Sequence, residues 1–337
     1  MRWTAVSEFL WRDLRWKIVS LLLIISGPLS GDATRAKELL ETANRLSEEG
    51  RFAEAGKALL VALDESADTD ASLTAAILTN LGSVYQDLGD YANAARFSRR
   101  ALSLWEGIRA PGHLDLARPL NTLAGVYCKL ARYSESEQLY HRSLAIRVEV
   151  LGPVHPDVGR VLNNLAELQL HRRNYPAAEE LFRQALAIWE AASPQQEDLI
   201  ALGFNNLAVL CVAKGLWSQA QPLLSRAISI WERTLGPEHP SLIRASINLA
   251  TIHSHQGDYA LADSLLVRAR AMTESTLGTQ NPQLSEILRM HAGVLRKQNR
   301  KREAKLLESR AREIDTIRMR RAAQDTVHVT ELQDASR

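Results

Sequence analysis

Four asparagines, Asn80, Asn164, Asn206 and Asn248, stand at multiples of 42 residues from one another, and three arginines, Arg118, Arg160 and Arg244, keep the same spacing. Each asparagine amide carries both a donor and an acceptor, so it can satisfy the backbone of an extended chain segment whatever its side chains. Each guanidinium offers a planar fork of donors that fits a carboxylate. That is recognition chemistry, not bond-breaking chemistry. The sequence holds no phosphate loop, no nucleophile elbow and no Cys/His cluster at metal-binding spacing. His155 and His239 recur 84 residues apart in equivalent linkers, where local capping or packing accounts for them better than a shared zinc ion. Cys128 and Cys211 lie 83 residues apart, with several helices expected between them, so no disulfide joins them.

The period that spaces these residues runs through the apolar positions as well. Leu81, Leu123, Leu165, Leu207 and Leu249 form one register of 42. Tyr91, Tyr133, Tyr175, Trp217 and Tyr259 form a second, and Leu104, Ile146, Ile188, Ile230 and Met272 a third. Each unit reads as two amphipathic helices. In the unit over 156–190, Val158, Val161, Leu162, Leu165, Ala166 and Leu168 mark the first. Tyr175, Ala178, Leu181, Phe182, Ala185, Leu186 and Trp189 mark the second. Gly89, Gly215 and Gly257 fall where a helix end wants a left-handed residue, a place held by Arg173 in this unit. Ala94, Ala178, Ala220, Ala262 and Ala304 recur in one register and Ala101, Ala185, Ala227 and Ala269 in another, which lets paired helices approach closely. Linkers 151–156, 235–240 and 277–282 combine a glycine with a proline suited to a first helical turn.

The LGPxHP linkers, the run LNNLAEL at 162–168 and the tail QALAIWE at 184–190 resemble tetratricopeptide repeats, specifically the 42-residue kind of kinesin light chains. The resemblance implies an all-α, right-handed superhelical solenoid of about seven helix-turn-helix repeats. Their bounds are about 36–67, 72–107, 114–149, 156–191, 198–233, 240–275 and 283–316, within an array over 34–316. It further implies a protein-interaction scaffold that takes an extended peptide or partner protein in its concave groove, with no catalysis and no cofactor or metal. In kinesin light chains the matching asparagines line the groove, which carries over to Asn80, Asn164, Asn206 and Asn248 but not to Thr122, where the ladder is interrupted. The same asparagines could instead bond within and between repeats and hold the stack together.

Helical spacing groups Arg160, Asn164, Glu167 and His171 on one face, and Arg244, Asn248, Thr251 and His255 on its counterpart. Arg118 at the rim with Arg160 and Arg244 leads us to expect an acidic or carboxylate-bearing partner. The alternative role is a regulatory or recruitment subunit of an enzyme or secretion assembly encoded elsewhere. The net charge of +2 over 337 residues marks no polyanion binder. The basic stretch 296–321 interleaves its charges with apolar residues at helical spacing, as a solvated cap does, so no nucleic acid is expected. Residues 1–33 carry a basic, tryptophan-rich head and the short apolar run 18–25, which is signal-like. Export or membrane tethering is the expectation, with contact to the membrane only through residues 1–30 and a cytoplasmic location as the alternative. Residues 317–337 read as a polar, flexible tail.

Overall fold

In a computed structural model of the chain, residues 33–66, 70–192 and 196–334 are described. Their helices pair into seven hairpins. These are α1 (Ala33–Glu48) with α2 (Phe52–Ser66), α3 (Ala71–Asp87) with α4 (Tyr91–Ile108), α5 (Ala117–Lys129) with α6 (Tyr133–Leu151), and α7 (Pro156–His171) with α8 (Tyr175–Ala191). Then come α9 (Glu197–Ala213) with α10 (Trp217–Thr234), α11 (Ser241–Gln256) with α12 (Tyr259–Thr276), and α13 (Pro282–Lys297) with α14 (Lys301–Asp334). A 3₁₀ turn, Leu114–Leu116, leads into α5.

Each hairpin turns at one left-handed residue. Gly89, Gly215 and Gly257 have φ of 75–85°, and Ala131, Arg173 and Asn299 hold the same place at 58–64°. Only glycine takes that conformation without cost; in the three substituted turns the residue and its successor donate their backbone N–H groups to the last carbonyls of the first helix, as Arg173 does to Leu170 and Asn174 to Gln169. The linkers cap the helices they precede. His155 Nδ1 accepts from the backbone N–H of Asp157 at 3.1 Å, His239 Nδ1 from Ser241 at 3.3 Å, and Asn281 Oδ1 from Gln283 at 2.8 Å. The recurring histidines are therefore caps.

Inside each hairpin the two alanine registers are fully buried. In the third hairpin both alanines are replaced, by Ser136 and Ser143, and neither hydroxyl is orphaned. Ser136 Oγ donates to the carbonyl of Ala124 and Ser143 Oγ to that of Ala117, both at 2.7 Å. A hydroxyl fits a close helix crossing when the facing backbone accepts its proton. Near the end of the second helices, Trp189 and Trp231 insert their indoles and donate to the carbonyls of Pro156 (3.0 Å) and Asp198 (3.2 Å). Gly159 makes room: a Cβ there would stand 2.6 Å from Trp189 Nε1.

The odd-numbered helices α1 to α11 pack against one another in succession, whereas the even-numbered helices pack chiefly on their chain neighbours. The first helices therefore line the inner side of the curve and the second helices the outer. The curvature brings the array back onto itself. A Cβ on Gly50 would lie 2.6 Å from Pro240 Cγ, and one on Gly89 3.3 Å from Pro282 Cγ. Asn281 Nδ2 donates to the carbonyl of Leu88 at 3.2 Å, and the His239 ring lies near the backbone of Glu48. The turns of hairpins one and two thus dock on the linkers before hairpins six and seven, so about five hairpins complete one circuit.

Two expectations meet the structure at the chain ends. The signal-like segment lies outside the described residues, apart from Ala33 at the start of α1. At the other end α14 continues to Asp334, past the expected close of the array at 316. No glycine or proline interrupts 301–334, so nothing in the sequence stops the helix. No described helix is long and apolar enough to cross a membrane.

Candidate functional site

The inner wall is built from the exposed faces of the first helices. Residues at i, i+4, i+7 and i+11 share a face, and on α3 that face carries Asn80, Ser83 and Asp87. Arg118 on α5, Arg160 on α7 and Arg244 on α11 all keep solvent contact.

The asparagines divide into two groups. Along the ladder one amide N–H of each donor is spent on the preceding unit. Asn164 Nδ2 donates to Asn121 Oδ1 (3.1 Å), Asn206 to Asn163 (2.8 Å), Asn248 to Asn205 (3.0 Å) and Asn80 to Asn44 (2.7 Å). Asn206 also accepts from Asn205 Nδ2 at 3.0 Å and is only 4% exposed, and Asn80 is 8% exposed. These two are stacking residues and offer a ligand no free face, which departs from their expected place in the groove. The reason is an asparagine of the preceding unit that supplies the acceptor: Asn163, the first of its NN pair, for Asn206, and Asn44 for Asn80. Asn164 and Asn248 are half-buried, and among the described residues no protein donor reaches their side-chain carbonyl oxygens. At Thr122 the ladder continues as a hydroxyl contact with Ser83 at 3.4 Å.

The arginines converge. Because the array closes on itself, Arg244 of the sixth hairpin and Arg118 of the third both act electrostatically on Asp87 of the second. Surrounding protein pushes the Asp87 carboxyl up to about 6, against the pull of the two arginines, although the residue keeps contact with solvent. Burial likewise draws the Arg118 guanidinium down, opposed chiefly by Asp87. Arg147 and Arg160 flank this pair and share one carboxylate: Arg147 reaches Asp157 at 3.2 Å and Arg160 reaches it at 3.6 Å. Arg147 is 8% exposed, and its Nε has no partner among the described residues. Four guanidiniums are thus gathered with two carboxylates, Asp87 and Asp157, an excess of two positive charges within this group. Among the described residues no cluster of His, Cys, Asp and Glu could hold a metal ion. Cys128 and Cys211 are free thiols.

Sequence reasoning found Arg118, Arg160 and Arg244 but missed Asp87 and Arg147. Asp87 carried a legible signal, since it lies seven residues beyond Asn80 on the same face. Arg147 occupies the register of Trp105, Trp189 and Trp231, where a charge in place of an indole marks a departure from the repeat.

Comparison with known proteins agrees with this architecture. The model of the tetratricopeptide repeat matches residues 73–135, 115–191, 199–275 and 244–316. The chain belongs to the tetratricopeptide-repeat family. No curated protein matches it. Among solved structures it is similar to a Rap protein complexed with competence and sporulation factor, at 15% identity and a TM-score of 0.68, over 88% of this chain and 79% of that one. It is also similar to the Rap conjugation gene regulator of plasmid pLS20 in complex with the Phr* peptide, at 11% identity and a TM-score of 0.62, over 84% and 74%. A putative kinesin light chain of Podosopora anserina matches at 24% identity and a TM-score of 0.44, over 59% and 94%.

Proposed function

We propose that this chain is a protein-interaction scaffold that seats an extended, acidic segment of a partner in its inner trough. The observation that carries the reading is the convergence of Arg118, Arg160 and Arg244, with Arg147, around only two carboxylates. A carboxylate of the partner satisfies the surplus positive charge. The free carbonyls of Asn164 and Asn248 accept from the partner's backbone N–H groups, which fixes the segment without specifying its sequence. One solved protein of similar fold was captured with the Phr* peptide and another with competence and sporulation factor, which supports a peptide as the guest. Residues 1–33 address the protein to the membrane or beyond it, and the N-terminus of the mature protein tests this point.

The binding test is selection from a linear library of random peptides of about twelve residues, about 40 Å when extended, followed by calorimetry on the enriched sequences. Acidic sequences are expected to dominate. Replacing both Arg118 and Arg244 by alanine should weaken the best of them at least about tenfold, the equivalent of one moderate charge-assisted contact. Unchanged affinity in that variant would sink the acidic reading.

A further inference from the structure

Where the array returns on itself, two contacts of one kind repeat. Gly50 lies against Pro240 and Gly89 against Pro282, and both glycines have a φ of 75°. The Asn281–Leu88 bond sits beside the second of them, and the His239 ring approaches the backbone of Glu48 beside the first. The array is therefore tied across its own turns, and the trough is walled on every lateral side. Its width follows from the count of hairpins per circuit. Five first helices about 10 Å apart place opposite axes about 17 Å apart, and removing one helix diameter leaves a bore about 7 Å wide. A helix is about 10 Å across with its side chains and does not fit. One extended chain does. Asp87 behaves as a group in such a bore should, wetted but hemmed in by protein.

Resting on the peptide-binding reading above, we infer that the closed trough admits its guest end-first, so that the partner it fits is a free chain terminus in extended form. An internal loop of a folded protein carries two strands and cannot pass a bore that holds one. A helix is too thick. A segment tethered to folded domains on both sides has no end to thread. The tie between turns makes this a property of the wall and not of any one contact in the bore.

The test uses the full chain and one peptide enriched from the linear library, presented in three forms. It is free, fused to a folded domain at one end only, or held between two folded domains. The free form and one of the two one-sided fusions should bind alike, and the doubly held form about 100-fold more weakly. A second arm locks the tie. A Cβ on Gly89 would lie 3.8 Å from Pro282 Cβ, the separation a disulfide spans, so the G89C/P282C pair can be oxidised in a C128S/C211S background. The oxidised variant should bind the free peptide as the reduced one does. Equal affinity for the doubly held form, or loss of free-peptide binding on oxidation, would overturn the inference, because either means that the guest enters from the side. If no peptide binds the unmodified chain at all, the peptide-binding reading itself falls.

Discussion

Asn281 donates a hydrogen bond to the backbone carbonyl of Leu88, 3.2 Å away and 193 positions earlier in the chain. At the other crossing of the array, Gly50 leaves no space for a side chain: a methyl group would stand 2.6 Å from Pro240 Cγ. Gly50→Ala combined with Asn281→Ala should part the turns without touching the core of any hairpin. Small-angle scattering should show a larger radius of gyration, with helix content unchanged. An unchanged radius would mean that these contacts do not hold the circuit closed.

Gly159 backs directly onto the Trp189 indole, which is fully buried and donates to Pro156. Gly159→Ala should therefore cost about 1–3 kcal/mol, the usual penalty of overpacking a tight core. Urea denaturation measures it. The same change at Gly293, where nothing lies within 4 Å of the new methyl, should be neutral or slightly stabilising, since alanine suits a helix interior better than glycine.

The ladder asparagines should separate by readout. Asn206→Ala strips buried Asn163 and Asn205 of partners, so stability should fall by about 1–3 kcal/mol. In a double-mutant cycle with Asn163→Ala the pair should cost less than the two single changes together. Asn248→Ala loses one half-buried bond. It should act more on peptide affinity than on the melting temperature, and the reverse ordering would mean that both residues only hold the stack.

Asp87 predicts a pH dependence of definite sign. Its carboxyl, held at about 6 by the surrounding protein, binds a proton in the folded chain over a range where the unfolded chain has released it. Its contribution to stability is present below the ordinary aspartate range near 4 and is lost as pH rises through about 6. Asp87→Asn removes this dependence, so the variant should gain on the parent between pH 4 and pH 7. A flat difference across that range would show Asp87 to be ordinarily hydrated. His239 and His291 act in the opposite direction. Burial draws both below the usual histidine value, so they stay neutral in the fold while the unfolded chain takes up protons, and stability falls as pH drops below about 6.5.

The repeat was legible because its causes are local. A turn that needs a left-handed residue, a crossing that needs a small one and a linker that needs a cap each leave a mark every 42 residues. That is why paired helices followed from spacing, and why His155 and His239 could be read as local capping or packing residues of the linkers. The site was legible only in part. Arg118, Arg160 and Arg244 stood out as surface residues of one register, but nothing local to Arg244 says that it faces Asp87, because that meeting depends on how many hairpins close a circuit. The asparagine ladder misled for a related reason. Asn206 has the same type and register as Asn164, and only the burial set by its neighbours separates a stacking amide from an available one.

In most solenoids each repeat touches only the next, so melting spreads inward from the ends and the array stretches like a spring. Here the first two hairpins are stitched to the linkers before the sixth and seventh. A spring whose coils are sewn together resists extension until the stitches give. Pulled by its termini, this chain should hold its length up to a threshold force and then yield abruptly, and loss of its first hairpin should be felt at the sixth.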